Sequence, residues 1–591
     1  MKLSRLSFTR LWAAHAWLGV TCGLVLHVMF FAGGFALFHD ELSAWQEPEL
    51  SRAPPEQSVG RLVARALEAS AAPPVALEVT MPGPNRPFVE LAWTETSGAR
   101  GEARLEAASG RAAPETSHLA RVLFWLHFLY HPRVPWGMNV AGLFGAALLL
   151  ALVTGLLIHL KDLVRQLYQL RADRSPRVLW SDLHKVLGVM GLPFQIAYAL
   201  TGAVIGLAPV MLSLATGPIF HGDRAAAARA LWGESAAPAP AGRRAPALPL
   251  DDLLSRARAV VPGFEPDFAR LDNLGDAAAR AAFWGRRPGR LFARGDVVLR
   301  ATDGALIADG ASTPPTPGAA VTRWATGLHY VWFGGVAARI LCALLAAAAC
   351  LTILSGNWIW LARRESTAAR AGNRLLLRLT IGIGGGLLLG TAGLFWANRL
   401  APPAARLDAE TWAFFGTWAA TATLFAARAE SRGGWVGLLR LAGAAFTAVP
   451  LLTAARFAAT ASWAGVAAAL GGVDTALAGL GLLLLLASEM VQRAAARATA
   501  RGSGPLDRPA RRPVAARVLP ALLLAAVLAA VRVGQFPKEV GEAVLFALAA
   551  FTTAVSIFVP LAALRPRWAW HAALAAPVVA LALLAVEARA R

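Results

Sequence analysis

Charge is scarce in this chain, and negative charge is the scarcer sign. Only 16% of its 591 residues are charged, with 36 acidic side chains against 57 basic ones, where soluble domains carry about 25% charged residues. Such a chain cannot clothe a soluble surface of ordinary kind. Cysteine is nearly missing. Cys22, Cys342 and Cys350 all fall inside apolar runs and form no C-x-x-C pair, so no disulfide framework is evident and the three read as packing residues rather than ligands. A dinucleotide loop is missing too. The one glycine cluster, "GIGGG" at 382–386, lies within an apolar run with no strand before it. It reads as close helix packing.

Apolar residues fill the space that charge leaves, at 56% of the chain and a mean hydropathy of +0.50. A helix needs about 20 consecutive apolar residues to cross a bilayer, and such runs recur. The composition predicts a polytopic α-helical membrane protein. Spans are expected near 11–38, 137–160, 184–212 and 336–361, then near 375–397, 411–428, 435–455, 464–490, 517–533, 541–563 and 568–588. The net charge of +21 does not point to nucleic acid. The basic residues sit in short loops between apolar runs: Lys2, Arg5 and Arg10; Lys161, Arg165, Arg171, Arg174 and Arg177; Arg363, Arg364 and Arg370; and Arg493 onward. These alternate loops share one side, which the positive-inside rule makes cytoplasmic. The basic-then-apolar start, without a small-residue cleavage site, reads as an uncleaved first helix. A bacterial inner membrane is the expected location.

Two long polar stretches fall on the other, periplasmic side. The expected organisation is a first membrane helix over 1–39, a periplasmic domain over 40–120, two membrane helices with a cytoplasmic loop over 121–212, a second periplasmic domain over 213–325, a fourth membrane helix over 326–364, and about seven further membrane helices over 365–591. Each polar stretch holds an amphipathic helix ("SVGRLVARALEAS"; "LPLDDLLSRARAVV") followed by alternating runs ("VALEVTM", "FVELAWTE", "ARLEAASGRAA"; "ARAAFWG", "DVVLRATDGALIAD"). Alternation with short turns signals hairpins, so each stretch is read as a small α+β domain.

The helix–domain–helix pattern occurs twice. "HAWLGV" at His15 matches "HKVLGV" at His184, and eighteen residues later Gly33 matches Gly202. "LHFLYH" at His127 matches "LHYVWF" at His329, and "TGLLIHL" from Thr154 matches "SGNWIWL" from Ser355. A parallel repeat implies a pseudo-two-fold axis along the membrane normal.

Histidine is the chemistry-bearing residue that this pattern singles out. Ionisable side chains inside a membrane are costly and mark function. His15 and His184 are mates at the inner face, and His127 and His329 are mates at the outer face. Imidazoles related by an axis can meet across it, and neutral imidazole is an axial ligand of haem iron. The pairs predict one bis-histidine b-type haem near each face, two in all. No C-x-x-C-H occurs, so neither is covalently attached. The alternative is interfacial histidines bonded to headgroups or loop carbonyls. His159, whose repeat mate is Trp360, is a second candidate for the inner ligand in place of His15. His27 reads as a polar contact or a third ligand. Asp182 either orients His184 or caps a helix start. Trp125, Tyr130, Trp136, Trp324, Tyr330 and Trp332 form either a substrate floor beside the outer pair or an interfacial aromatic belt.

The segments "HAWLGV…FHDELSAWQEPEL", "GLLIHLKDLV", "SDLHKVLGVMGLPF…TG" and "LFWANRLAPPAARLDAETWAFFGTW" resemble the PepSY-associated transmembrane helix family, in its longer iron-regulated branch, over about residues 1–430. The resemblance implies PepSY-like periplasmic domains and haem-dependent reduction of ferric siderophores at the inner membrane. It places the family's helix-start histidines on His15, His127, His184 and His329, and the histidine closing the second helix on His159. The expected partners are a ferric siderophore, the lipid bilayer, and an electron donor that is a quinol or a cytoplasmic reductase; no nucleic acid is expected. The rival expectations are an iron or siderophore permease, with Asp474 and Glu489 as its acidic candidates, and a non-enzymatic regulator that binds a periplasmic protein.

Overall fold

The computed structural model describes residues 4–501 except 51–54, 69, 131–135, 162, 164–169, 172–175, 234–237, 288–293, 310–315, 365–370, 428–431 and 459–470. His131 and the three spans expected after residue 517 lie outside the described residues.

Membrane helices form the body of the molecule. Helix α1 (Arg5–Ala36) opens with the Ser4 hydroxyl accepting a hydrogen bond from the Ser7 amide, which satisfies one otherwise unpaired donor of the first turn. It packs along α5 (Gly137–His159) and α11 (Gly335–Ala362), while α7 (Leu192–Thr216) packs on α5. Between α5 and α7 the backbones approach so closely that a Cβ on Gly142 would stand 2.8 Å from the Gly206 carbonyl carbon. In lipid, where apolar side chains gain nothing by leaving their surroundings, such small-residue contact is what holds helices together. Helix α6 (Pro176–Met190) precedes α7 and lies against α11.

A second group follows: α12 (Ala371–Leu400), α13 (Pro403–Ala427), α14 (Arg432–Ala458) and α15 (Gly472–Arg501). Helix α12 pairs with α13 and α14 with α15, and α12 leans on α1. The "GIGGG" cluster is helical, as expected: a Cβ on Gly382 would meet Ala422, and one on Gly386 would meet Trp418 at 2.6 Å. Among the described residues seven helices are long and apolar enough to cross a membrane, namely α1, α5, α7, α11, α12, α14 and α15. Helix α13, over the span expected at 411–428, is not one of the seven.

The polar stretches supply α2 (His39–Gln46), α3 (Val59–Leu67), β1 (Pro74–Thr80), β2 (Phe88–Glu95), β3 (Arg100–Glu106) and α4 (Leu119–His127) from the first. The second supplies α8 (Arg224–Trp232), α9 (Leu250–Val260), β4 (Glu265–Asp272), β5 (Arg280–Arg286), β6 (Arg294–Arg300), β7 (Leu306–Asp309) and α10 (Pro317–His329). The strands do not form two sheets. They form one antiparallel sheet in the order β3-β2-β1-β4-β5-β6-β7, joined where Ala76–Thr80 pair with Asp272–Phe268. The joining strand β4 is the one that alternation failed to show: "EPDFARLD" starts on a charged residue and a proline, neither of which reads as strand. Amphipathic helices α3 and α9 cover one face. Leu62, Val63, Leu253 and Leu254 meet Val79, Val89, Leu271, Phe283 and Val297 there in a single core.

Candidate functional site

Helices α4 and α10 both stop at a histidine, and both stop in the same way. After His127 the chain turns through Leu129 at φ 60°, and after His329 through Val331 at φ 54°. The Tyr130 amide reaches back to the Trp125 carbonyl and the Trp332 amide to that of Gly327, each at 2.9 Å. This is the six-to-one closure of a Schellman turn, whose left-handed position is ordinarily glycine. A leucine and a β-branched valine hold it here, against a steric cost.

The two rings meet. The His127 and His329 centroids are 5.8 Å apart, their planes inclined by 35°. The His127 Nδ1–H donates to the Met29 carbonyl at 2.8 Å. Thr201 donates its hydroxyl proton to the Ala197 carbonyl at 2.7 Å, so its oxygen accepts from His329 Nδ1 at 2.9 Å. Glycines face both rings: a Cβ on Gly33 would stand 2.8 Å from His127 Nδ1, and one on Gly202 3.5 Å from His329 Cε1.

At the other end of α1 the arrangement recurs. The His15 and His184 centroids are 6.1 Å apart, edge to face at 75°. His15 Nδ1 donates to the Ala151 carbonyl at 2.8 Å and His184 Nδ1 to the Thr352 carbonyl at 2.7 Å. A Cβ on Gly155 would stand 2.9 Å from His15 Cε1, and one on Gly356 3.2 Å from His184 Cε1. In all four histidines Nδ1 carries the proton and is used by a hydrogen bond, which leaves Nε2 as the lone-pair nitrogen. Fixing one ring nitrogen to orient the other is how proteins prepare imidazole for a metal. His15 and Gly33 are eighteen residues apart on one helix. That is five full turns, so they share a face about 27 Å apart.

His159 also stands near the inner pair, within electrostatic reach of His184. His159 is the last residue of α5; the ring that meets His184 is that of His15. His27 is buried and faces away from both pairs, its Nε2 3.6 Å from where a Gly384 Cβ would be. Neither of its ring nitrogens has a hydrogen-bond partner. His39 pairs with Asp40 at 3.5 Å, His118 meets the Thr411 hydroxyl at 2.9 Å, and His221 occupies a left-handed turn. Neither role foreseen for Asp182 is seen. It lies within α6, past the helix start, and its carboxylate takes Arg171 through Nε at 2.9 Å and Nη2 at 2.8 Å. The Arg171 guanidinium holds that carboxyl below its usual pKa. Among the aromatic residues, Trp125 pairs with Tyr130 and Tyr330 with Trp332, while Trp136 and Trp324 are exposed.

A buried polar network, not foreseen from the sequence, fastens the second helix group to α2 and α4. Arg399 donates to the Trp45 carbonyl at 2.9 Å and stacks on the Trp45 ring. Trp45 Nε1 donates to Asp474 at 2.8 Å, and Thr453 donates to the same carboxylate at 2.7 Å. Glu410 accepts from the Ser117 hydroxyl, the His118 amide and Asn398, and Arg406 reaches the Gln46 carbonyl and Glu49. The carbonyls ending α2 are unpaired acceptors at the negative end of a helix, and cationic side chains answer them.

Seven membrane-capable helices beside a sheet domain describe a multi-pass membrane protein. The family model for the PepSY-associated TM region matches residues 12–363, and the chain belongs to that family. The match ends as α11 ends, so α12–α15 lie beyond it. The chain is also similar to the uncharacterized protein PA4219 of Pseudomonas aeruginosa, 33% identical over 379 residues, which is 61% of this chain and 92% of that relative.

Proposed function

We propose that the protein is an inner-membrane haem-containing reductase, carrying electrons from a quinol or cytoplasmic donor to ferric iron in the periplasm, with a ferric siderophore as substrate. The observation that carries this is the spacing within the two pairs. Two imidazoles holding one metal ion between their Nε2 nitrogens, at about 2 Å each, would stand with ring centroids about 6 Å apart. The separations are 6.1 Å and 5.8 Å. His15 with His184, and His127 with His329, would each hold one non-covalent haem b, and the glycines beside them leave room that a Cβ would fill. Bound haem supplies reversible one-electron chemistry in a low-dielectric interior where no charged group could diffuse.

The chain's own residues do the rest. Ala151, Thr352, Met29 and Thr201 fix the ring orientations. Helix α1 holds the two pairs about 27 Å apart, close to the hydrocarbon thickness of about 30 Å. The doubled contacts support a parallel repeat about an axis through both pairs. The basic loops support an orientation with the His15–His184 end in the cytoplasm and the sheet outside. Iron(III) bound by hard oxygen donors is held far less firmly once reduced, so electron delivery itself releases the metal.

The test is a pyridine haemochrome assay on protein expressed with haem precursor. Two haems per chain are expected, with low-spin bis-histidine bands. A ratio near zero overturns the proposal, and a ratio of one leaves a single site without a route across the membrane.

A further inference from the structure

In an antiparallel sheet, residues directly opposite one another point to the same face. Arg104 lies opposite Glu90, Glu90 opposite Thr80, Thr80 opposite Phe268, Phe268 opposite Trp284, and Trp284 opposite Asp296. Both ends of this row are tied to the helices. Arg104 pairs with Glu47, the residue after α2, and Asp296 pairs with Arg323 of α10 at 3.0 Å. The row therefore faces the helical bundle, on the side of the sheet opposite α3 and α9.

The ends of the row are closed and its middle is open. Glu47 is 3% exposed and Asp296 6%. Between them Phe268 and Trp284 are only half-buried, their rings 5.6 Å apart and inclined by 45°. Glu78 and Arg270 lie opposite each other two residues along the same face, and their side chains are 49% and 45% exposed. Glu90 is open to the same degree. Solvent thus enters between sheet and bundle at β1 and β4.

The ties stand on the helices that carry one histidine pair. Arg323 precedes His329 by six residues, or about 9 Å along α10. Glu47 also accepts from the Thr116 amide at 2.8 Å, just ahead of α4, which ends at His127. The opening is therefore built over the beginnings of the two helices whose ends bring His127 and His329 together.

Its charges are already matched. Arg270 is taken by Asp272 at 2.9 Å, with Glu78 at 4.0 Å, and Arg104 is taken by Glu47, with Glu90 at 3.4 Å. Neither of these two guanidiniums is left unpaired for an anion, and Glu78 and Glu90 would repel one. The offered surface is an aromatic pair edged with carboxylates. Resting on the reductase proposal, we propose that this opening docks the ferric chelate, and that it selects chelates bearing aromatic rings and zero or positive net charge. The rings lie against Phe268 and Trp284. One electron leaves the reduced protein, the chelated iron(III) becomes iron(II), and the freed ligand oxygens take up protons from water.

Tris(benzohydroxamate) and tris(acetohydroxamate) complexes test this, because they share the six oxygen donors and zero charge and differ only in phenyl against methyl. With redox-inert gallium(III) as the metal, calorimetry on the full-length protein in detergent reads binding without electron transfer. The benzohydroxamate complex is expected to bind about tenfold more tightly than the acetohydroxamate, as two aromatic contacts allow. Phe268→Leu with Trp284→Leu, which keeps apolar bulk in the sheet, is expected to erase most of that preference. Equal affinities in the wild type, or a preference that survives both substitutions, overturns the docking site. Re-oxidation of the dithionite-reduced protein by the iron(III) complexes is followed separately by stopped flow. Re-oxidation without gallium preference leaves the reductase standing and removes the docking site. Gallium preference without re-oxidation keeps the site and removes the reductase.

Discussion

At the scale of single residues, the site is a matter of which ring faces which. His15 meets His184 with its Nδ1 anchored to Ala151, whereas His159 closes α5. His15→Ala is therefore expected to lower the haem ratio from two to one, and His159→Ala to leave it at two; the haemochrome assay reads both. The reverse pattern would make His159 the ligand. The glycines give a sharper contrast, because identical chemistry meets different space. A methyl on Gly33 would stand 2.8 Å from His127 Nδ1, well inside contact distance, while one on Gly202 would sit 3.5 Å from His329 Cε1 in ordinary contact. Gly33→Ala is expected to displace the ring and weaken or shift the low-spin spectrum of that haem, and Gly202→Ala to leave it unchanged. Equal spectra in the two variants would mean that the rings are not fixed as the hydrogen bonds to Met29 and Thr201 require.

At the scale of elements, two attachments carry separate consequences. The network joining α12–α15 to α2 buries Arg399 and Asp474. Asp474→Ala removes the acceptor of Trp45 Nε1 and of Thr453 and one of the carboxylates whose charge favours the buried Arg399. Breaking one side of a buried ion network costs about 3–5 kcal/mol, so a marked drop in thermal midpoint is expected. Glu265→Ala breaks only the exposed pair with Arg286, and exposed pairs contribute about 0–1 kcal/mol; its midpoint should hardly move. The second attachment responds to acid. Because Arg171 depresses the pKa of Asp182, the folded state binds that proton less readily than the unfolded chain. The stabilisation is then present above the unfolded value of about 3.9 and is lost as the pH falls through the lower folded value. Asp182→Asn should lower the thermal midpoint at pH 7 and by less at pH 3. An equal loss at both would show that the charge is not what holds the loop to α6.

At the scale of the whole molecule, what was legible in the sequence and what was not divide along a physical line. Local rules are written in the chain itself. The length and apolarity of α1, α5, α7 and α11 announce membrane helices because a bilayer admits little else. Amphipathic α3 and α9, and alternating β1, β2, β5 and β6, announce themselves by period. The repeat marked the histidines, and with them Gly155 and Gly356, which share matched segments with the ring contacts they later make. Non-local choices are not written there. The acceptors Ala151, Met29 and Thr352 are main-chain carbonyls, which any residue supplies. The merger of two polar stretches into one sheet hangs on β4, whose charged and proline-led sequence pairs because β1 offers it an edge. Asp182, near His184 in the chain, turned instead to Arg171, and Asp474, an acidic candidate of the rival permease expectation, accepts from Trp45. The sequence by itself determined that this is a multi-pass helical membrane protein of the PepSY-associated family, and its repeat matched His15 with His184 and His127 with His329. Only the tertiary structure decided which carbonyls and hydroxyl anchor those rings, that one sheet spans both polar stretches, and that α12–α15 are fastened to α2. Those outcomes depend on surfaces meeting across hundreds of residues, where the free energy lies in complementarity between distant segments and not in the preference of any one of them.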